Sequence, residues 1–176
     1  DLEMTFIGHG SLMFTFGGKV IHIDPFGRLA DYGKLPPADL ILITHEHRDH
    51  LDPEALSKIM KKETEIIASV SCQGKLKNAT SLKNGEKKKW ETIEIEAVAA
   101  YNLKHKRENG QPFHPKGNGN GYILKIGEKS IYIAGDTENI PEMKQLGKID
   151  VAFLPMNLPY TMTPEMVSDA AKAFKP

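Results

Sequence analysis

Thr44-His45-Glu46-His47-Arg48-Asp49-His50-Leu51-Asp52 is the stretch from which the rest of this chain is read. Within it, His45-x-His47-x-Asp49-His50 gathers three imidazoles and a carboxylate. Neutral imidazole and carboxylate are ligands for zinc and other first-row divalent cations, and one short turn can aim several of them at a single point. His45 and His47 stand two apart, so in an extended or tightly turned segment both rings project from the same side. Asp49 and His50 follow after the chain turns, which suits a second metal beside the first. A zinc-peptidase helix needs His-Glu-x-x-His; here Asp49 stands where the second histidine should be, and that reading fails. The plainer alternative, a polar loop of solvated histidines, leaves the clustering unexplained.

Working outward, Ala38-Asp39-Leu40-Ile41-Leu42-Ile43 is a nearly continuous apolar run, as expected of a strand buried on both faces, and it delivers the chain straight into the motif. Downstream, Asp52 as N-cap, Pro53 at the first position and Leu56, Ile59 and Met60 on one face predict a helix, with a strand over Glu65–Ser69 after it. Upstream, residues 3–7, 12–16 and 19–23 are short and β-rich, punctuated by Gly8, Gly10 and the hairpin pair Gly17-Gly18, which predicts an antiparallel meander. Residues 71–90 are polar and carry Lys83 and Lys87-Lys88-Lys89. Without interleaved aromatics these lysines read as a solvated turn, not a nucleic-acid patch. Residues 91–98 alternate like a half-exposed strand. Residues 102–119 form a long loop with His105 and His114, a candidate substrate-binding loop. A hairpin follows over 121–126 and 129–134 around Gly127-Glu128, then a short helix near 140–146, a strand over 150–154 and a helix opening at Thr163-Pro164. No repeat or linker divides residues 1–176, so the expectation is one α/β domain.

The 176 residues carry 23 Lys plus Arg against 23 Asp plus Glu, so no global charge drives binding to nucleic acid or to a membrane surface. A hydrophobic fraction of 40% is that of an ordinary globular protein. One cysteine, Cys72, excludes an internal disulfide and a Cys-rich zinc knuckle, and it lacks a partner histidine that would make it a nucleophile. No apolar run reaches the roughly 18–20 residues of a membrane span. A cytoplasmic protein is expected, with export after signal-peptide removal as the alternative, since the chain begins at Asp1. The last helix runs into Lys175-Pro176, and a helix followed by Pro normally leads into another element, so the C-terminus reads as cut.

Several further pieces accompany the histidine motif: Gly8-His9-Gly10-Ser11, Ile23-Asp24-Pro25, Ala134-Gly135-Asp136-Thr137 and Tyr160-Thr161-Met162-Thr163-Pro164. In this order the chain resembles the metallo-β-lactamase fold superfamily, in its UlaG-like (ascorbate-6-phosphate lactonase-like) branch of metal-dependent hydrolases. More distantly it is similar to the N-acyl-phosphatidylethanolamine phospholipase D type. The resemblance implies an αββα sandwich with two divalent metals, zinc first and manganese second, at one edge. It implies His45 and His47 in the first metal site, Asp49 and His50 in the second, and Asp136 as the bridging carboxylate. It also places His9 and Asp24 beside the metals, as groups that orient the ligands. His22, mid-strand, reads as packing.

The sequence departs from the family where a third histidine should serve the first metal: that place reads Ala99-Ala100-Tyr101-Asn102. An amide oxygen is a poorer zinc ligand than imidazole, so the first site is weak, or a harder metal such as manganese is preferred, or another histidine substitutes, His114 before His105. A ligand that relatives carry beyond their last helix is not in the sequence. The expected activity is hydrolysis of a small ester, lactone or phosphodiester by a metal-bound hydroxide, with Asp49 catalytic and with His114, Lys116 and Asn102 steadying the substrate. The alternatives are a nuclease of the same fold, disfavoured by the charge balance, and a non-catalytic metal-binding module with an incomplete site. A small-molecule substrate, no nucleic acid and a homo-oligomer complete the expectation.

Overall fold

The computed structural model describes residues 1–176, which fall into two compact units, Asp1–Ser81 and Leu82–Pro176. In the first unit, β1 (Leu2–Gly8), β2 (Ser11–Phe16) and β3 (Lys19–Ile23) form the expected antiparallel meander, closed by Gly17-Gly18. β4 (Leu40–Ile43) and β5 (Glu65–Ser69) then add in parallel, and β6 (Thr80–Leu82) ends the sheet in the order β1-β2-β3-β4-β5-β6. All four residues of β4 are wholly buried, which is why its sequence is apolar without alternation. Between β4 and β5, α1 (Pro53–Ile59) is capped by the Asp52 carboxylate, which accepts from the Glu54 N–H. Ala55, Leu56 and Ile59 pack with Tyr32, Ile41 and Ile43. Met60, expected on that face, instead ends the helix in an extended conformation and is exposed.

The geometry of this sheet explains why the distant motifs of the first unit meet. β3 and β4 are parallel, with Ile23 opposite Leu42, so both strands end at one edge and release Asp24 and Thr44 side by side. β2 runs antiparallel to β3, with Leu12 opposite Ile23, so the Gly8–Ser11 turn sits at that same edge. Loops beyond the carboxyl ends of parallel strands are where open α/β sheets build their sites.

The second unit holds β7 (Lys87–Trp90), β8 (Ile93–Ala100), β9 (Gly119–Ile126), β10 (Lys129–Ile133) and β11 (Val151–Phe153), in the order β11-β10-β9-β8-β7. The β9–β10 hairpin turns at Gly127-Glu128 as expected, and β11 pairs in parallel with β10. Gly121 is required by packing: a Cβ there would lie 2.9 Å from the carbonyl oxygens of both Ile133 and Ala134, and backbone cannot yield. Lys87–Lys89 are a correction. They form the edge strand β7, where Lys87 reaches Glu94 and Glu96 of β8, so the basic run is one side of a charged cross-strand ladder. The turn near 140 is a short 3-10 segment, Pro141–Gln145. α2 (Pro164–Phe174) is capped by Thr163, whose hydroxyl accepts from the Met166 N–H, and it buries Ala170 and Phe174 against Tyr132 and Met143. With Ala100 opposite Gly119 and Ile133 opposite Tyr122, β8 and β10 release Tyr101-Asn102 and Asp136-Thr137-Glu138 at one edge of this sheet.

Candidate metal centre

In the first unit the site residues are built around Asp24. Its buried carboxylate accepts from the Thr44 N–H at 2.7 Å and the Thr44 hydroxyl at 2.5 Å, and its carbonyl accepts from the Ser11 hydroxyl. His50 Nδ1 lies 2.7 Å from Asp24 Oδ2, with both side chains 1% exposed. A carboxylate acceptor at Nδ1 fixes the proton on that nitrogen and turns Nε2 outward as the basic atom, the usual second contact of a metal-binding histidine. His50 Nε2 points toward Asp49 Oδ2 at 3.9 Å, and His9 Nε2 reaches the same oxygen at 3.0 Å. Ligand atoms of His9, Asp49 and His50 thus lie within 4.8 Å of one another. His9 and Asp24 both adopt left-handed backbone conformations, with φ of 49° and 44°. These are uncommon outside glycine, though His and Asp tolerate them best.

His45 Nε2 and His47 Nδ1 face each other at 3.0 Å, and His45 Nδ1 lies 3.0 Å from the Thr44 hydroxyl. Two nitrogens bound at about 2.0–2.1 Å to one tetrahedral cation stand roughly 3.3 Å apart, so the pair is slightly closer than the spacing of two ligands on a shared zinc. Gly10 packs on this cluster: a Cβ there would come within 2.8 Å of His50 Cε1.

In the second unit, Asn102 governs His114. The Asn102 amide oxygen accepts from the His114 N–H at 2.8 Å and from His114 Nδ1 at 2.7 Å, while the Asn102 N–H accompanies these with a bond to the His114 carbonyl. His114 Nε2 then stands 3.3 Å from Asp136 Oδ2. With the Nδ1 proton given to Asn102, Nε2 and the Asp136 carboxylate are two acceptors face to face. Such a pair needs a positive charge between them, from a second ring proton or from a metal ion. The donor set of imidazole and carboxylate fits a divalent metal.

Asn102, expected to steady substrate, has its amide engaged within the protein. Asn102 is buried, its oxygen serves His114 twice, and its NH₂ group donates to the Tyr160 carbonyl at 2.9 Å and to Glu138 Oε1 at 3.3 Å. Lys116 is exposed, but its ammonium is held by Glu142 at 2.8 Å over the Tyr101 ring. Glu142 answers in kind: burial alone would raise its carboxyl, yet the Lys116 contact, with other hydrogen bonds including that from Tyr101, holds it below the ordinary value. His105 Nδ1 lies 2.7 Å from Glu138 Oε1, the oxygen that accepts from the His105 backbone N–H. His22 is buried with Nε2 3.0 Å from the Pro36 carbonyl, a packing residue whose burial pushes its pKa down. Burial likewise raises the Cys72 thiol, which suits an inert core cysteine.

Three contributors have roles that the sequence did not assign, although Thr44 and Ser11 stand inside the quoted motifs. Thr44 and Ser11 act through Asp24, and Glu138 acts on backbone N–H groups more than thirty positions away. No local periodicity marks such a partner.

A family model described as a beta-lactamase superfamily domain matches residues 3–176. A UPF0173 metal-dependent hydrolase of Ligilactobacillus salivarius is 34% identical over 97% of this chain and 79% of its own length. A provisionally assigned metal-dependent hydrolase from Parabacteroides distasonis, solved by crystallography, is 50% identical and superposes with a TM-score of 0.94 over 99% of this chain and 79% of that one. Igni18, a metallo hydrolase from Ignicoccus hospitalis, is 26% identical with a TM-score of 0.78 over the same shares. Two mixed sheets with few helices, the strand-end position of the histidine motif and a family match that runs through both units agree: the chain belongs to the β-lactamase superfamily and, within it, to the UPF0173 metal-dependent hydrolases.

Proposed function

We propose that this protein is a hydrolase of small esters, lactones or phosphodiesters that works with two divalent cations, and that the two compact units act as one domain. His45, His47 and His114 are the proposed ligands of the first cation, Asp49 and His50 those of the second, and Asp136 the carboxylate between them. Three imidazoles at the first position favour zinc over manganese, because the amide oxygen that would have favoured a harder metal is engaged by His114. The observation that carries the reading is the pairing of two convergent imidazole nitrogens, on His45 and His47, with a third ring, His50, locked through Nδ1 by Asp24.

When bound, the cations supply Lewis acidity and make water a competent nucleophile near neutral pH. The residues of the chain supply the rest. Asp49 Oδ2 accepts the proton of the attacking water, and His9 Nε2 at 3.0 Å holds that carboxylate in place. Asp24 and Thr44 keep His50 in one tautomer. The balance of positive and negative charge supports a small substrate over a nucleic acid.

The test is metal analysis beside a panel of chromogenic esters, lactones and phosphodiesters. Two equivalents of metal and turnover of at least one substrate class are expected. Asp49→Ala and His47→Ala should each lower turnover by about 10²–10⁴-fold. Unchanged metal content and unchanged hydrolysis in both variants would sink the proposal.

A further inference from the structure

The most completely satisfied buried charge in the second unit belongs to a residue the proposed mechanism does not use. Glu138 is 1% exposed, yet its carboxylate accepts from four N–H groups: Leu103 at 2.8 Å and Lys104 at 2.7 Å on Oε2, His105 at 2.6 Å and the Asn102 amide at 3.3 Å on Oε1. Its own N–H donates to the Tyr101 carbonyl, and the neighbouring Thr137 hydroxyl bridges the Tyr101 N–H and carbonyl. Both carboxylate oxygens are thus used as acceptors by the turn that follows Tyr101.

We infer that Glu138 is a positioning residue for His114, acting through Asn102. An amide can be turned either way, and only its surroundings decide which end faces the histidine. Glu138 Oε1 and the Tyr160 carbonyl are both acceptors, so the NH₂ end of Asn102 must face them and its oxygen must face His114. That oxygen can only accept, so His114 carries its proton on Nδ1 and presents Nε2 to Asp136. The same carboxylate clips residues 103–105 at the start of the loop whose far end is His114. One buried anion therefore sets both the neck of the loop and the tautomer of the ring. The inference rests on the proposed role of His114 as a ligand, but its first consequence, the tautomer, does not.

The experiment uses ¹⁵N NMR of the histidine rings in the metal-free protein, with zinc affinity measured by competition against a chromophoric chelator. In alkaline solution, where the second ring proton is gone, the wild type should show the remaining His114 proton held on Nδ1. Glu138→Gln brings a donor against the Asn102 amide, and Asn102→Ala removes the acceptor. Each should shift the His114 ring to mixed tautomers and weaken zinc binding by about 10–100-fold. Asn102→Ala should leave the amides of 103–105 protected from exchange, whereas Glu138→Gln should expose them. Should Glu138→Gln fail to fold, Asn102→Ala alone decides the tautomer claim. An unchanged His114 ring signal in a folded variant overturns the inference. A wild type that shows the tautomer but binds no zinc overturns the proposed function and leaves the inference standing.

Discussion

Gly10 is a place where one methyl group reports on the whole histidine cluster. Its backbone is compatible with alanine, but the added Cβ would stand 2.8 Å from His50 Cε1 and 3.1 Å from Nδ1. Gly10→Ala should therefore push His50 off Asp24, with a stability loss of about 1–3 kcal/mol for overpacking and weaker zinc binding. Thermal denaturation and a zinc titration check it, and wild-type values in both would show that the ring has room to move. At this scale the sequence made some proposed ligands readable and hid others. His45, His47, Asp49 and His50 could be read because they are neighbours in the chain, so their chemistry is a local pattern. The bonds of Asn102 were not readable, because its residue type says nothing of which partners its amide will find. Gly10 was read as turn punctuation, when its lack of a side chain also makes room for His50.

Among the elements, β4 illustrates how far pattern carries: an unbroken apolar run at its length is a central parallel strand, and the structure has it so. β7 illustrates the limit, since Lys87–Lys89 have low strand propensity and Lys87 is held by Glu94 and Glu96 across the ladder, partners that only register reveals. The entry to β4 is fastened by Asp39. Its carboxylate accepts from the Val20 N–H and from Lys61, and its backbone bonds to Val20 and to Glu65, joining the starts of three strands. Burial works to raise the Asp39 carboxyl, but Lys61 and the Val20 N–H prevail and its pKa is lowered from 3.8. A lowered carboxylate stabilises fully above its unfolded value and loses that share as pH falls through the folded one. Asp39→Asn should thus cost about 1 kcal/mol at neutral pH, with the gap to wild type closing as urea midpoints are followed into acid. The second sheet offers the opposite case. The Tyr132 hydroxyl is buried without a hydrogen-bond partner, and burial pushes its pKa well above the ordinary value. Tyr132→Phe should keep the edge-on contact with Phe174 and raise stability by about 1 kcal/mol, read from the denaturant midpoint.

For the molecule as a whole, a metal that binds only the folded chain adds stability in proportion to the logarithm of its excess. At a hundred-fold excess over Kd this amounts to about 2.7 kcal/mol. For a chain of this length that corresponds to a rise of roughly 5–11 °C in Tm. Zinc should produce that rise in the wild type and a much smaller one in His47→Ala, by scanning calorimetry with and without chelator. Outside residues 71–90, which hold β6 and β7, the order of strands and helices was legible because glycine turns, proline starts and apolar periodicity are local. What joins Asp24 to His50, or Asn102 to His114, was not, because strand order and register are set by the sheet. The wholly buried β4 has a further consequence. Its amides, enclosed on both faces and paired on both edges, should exchange with solvent deuterium only through global unfolding, whereas the turn at Glu46–Arg48 should exchange in local openings. The segment that carries the histidines is thus moored to the last part of the chain to open, so fluctuations that loosen the turn leave its anchor at Thr44 and His45 where it is.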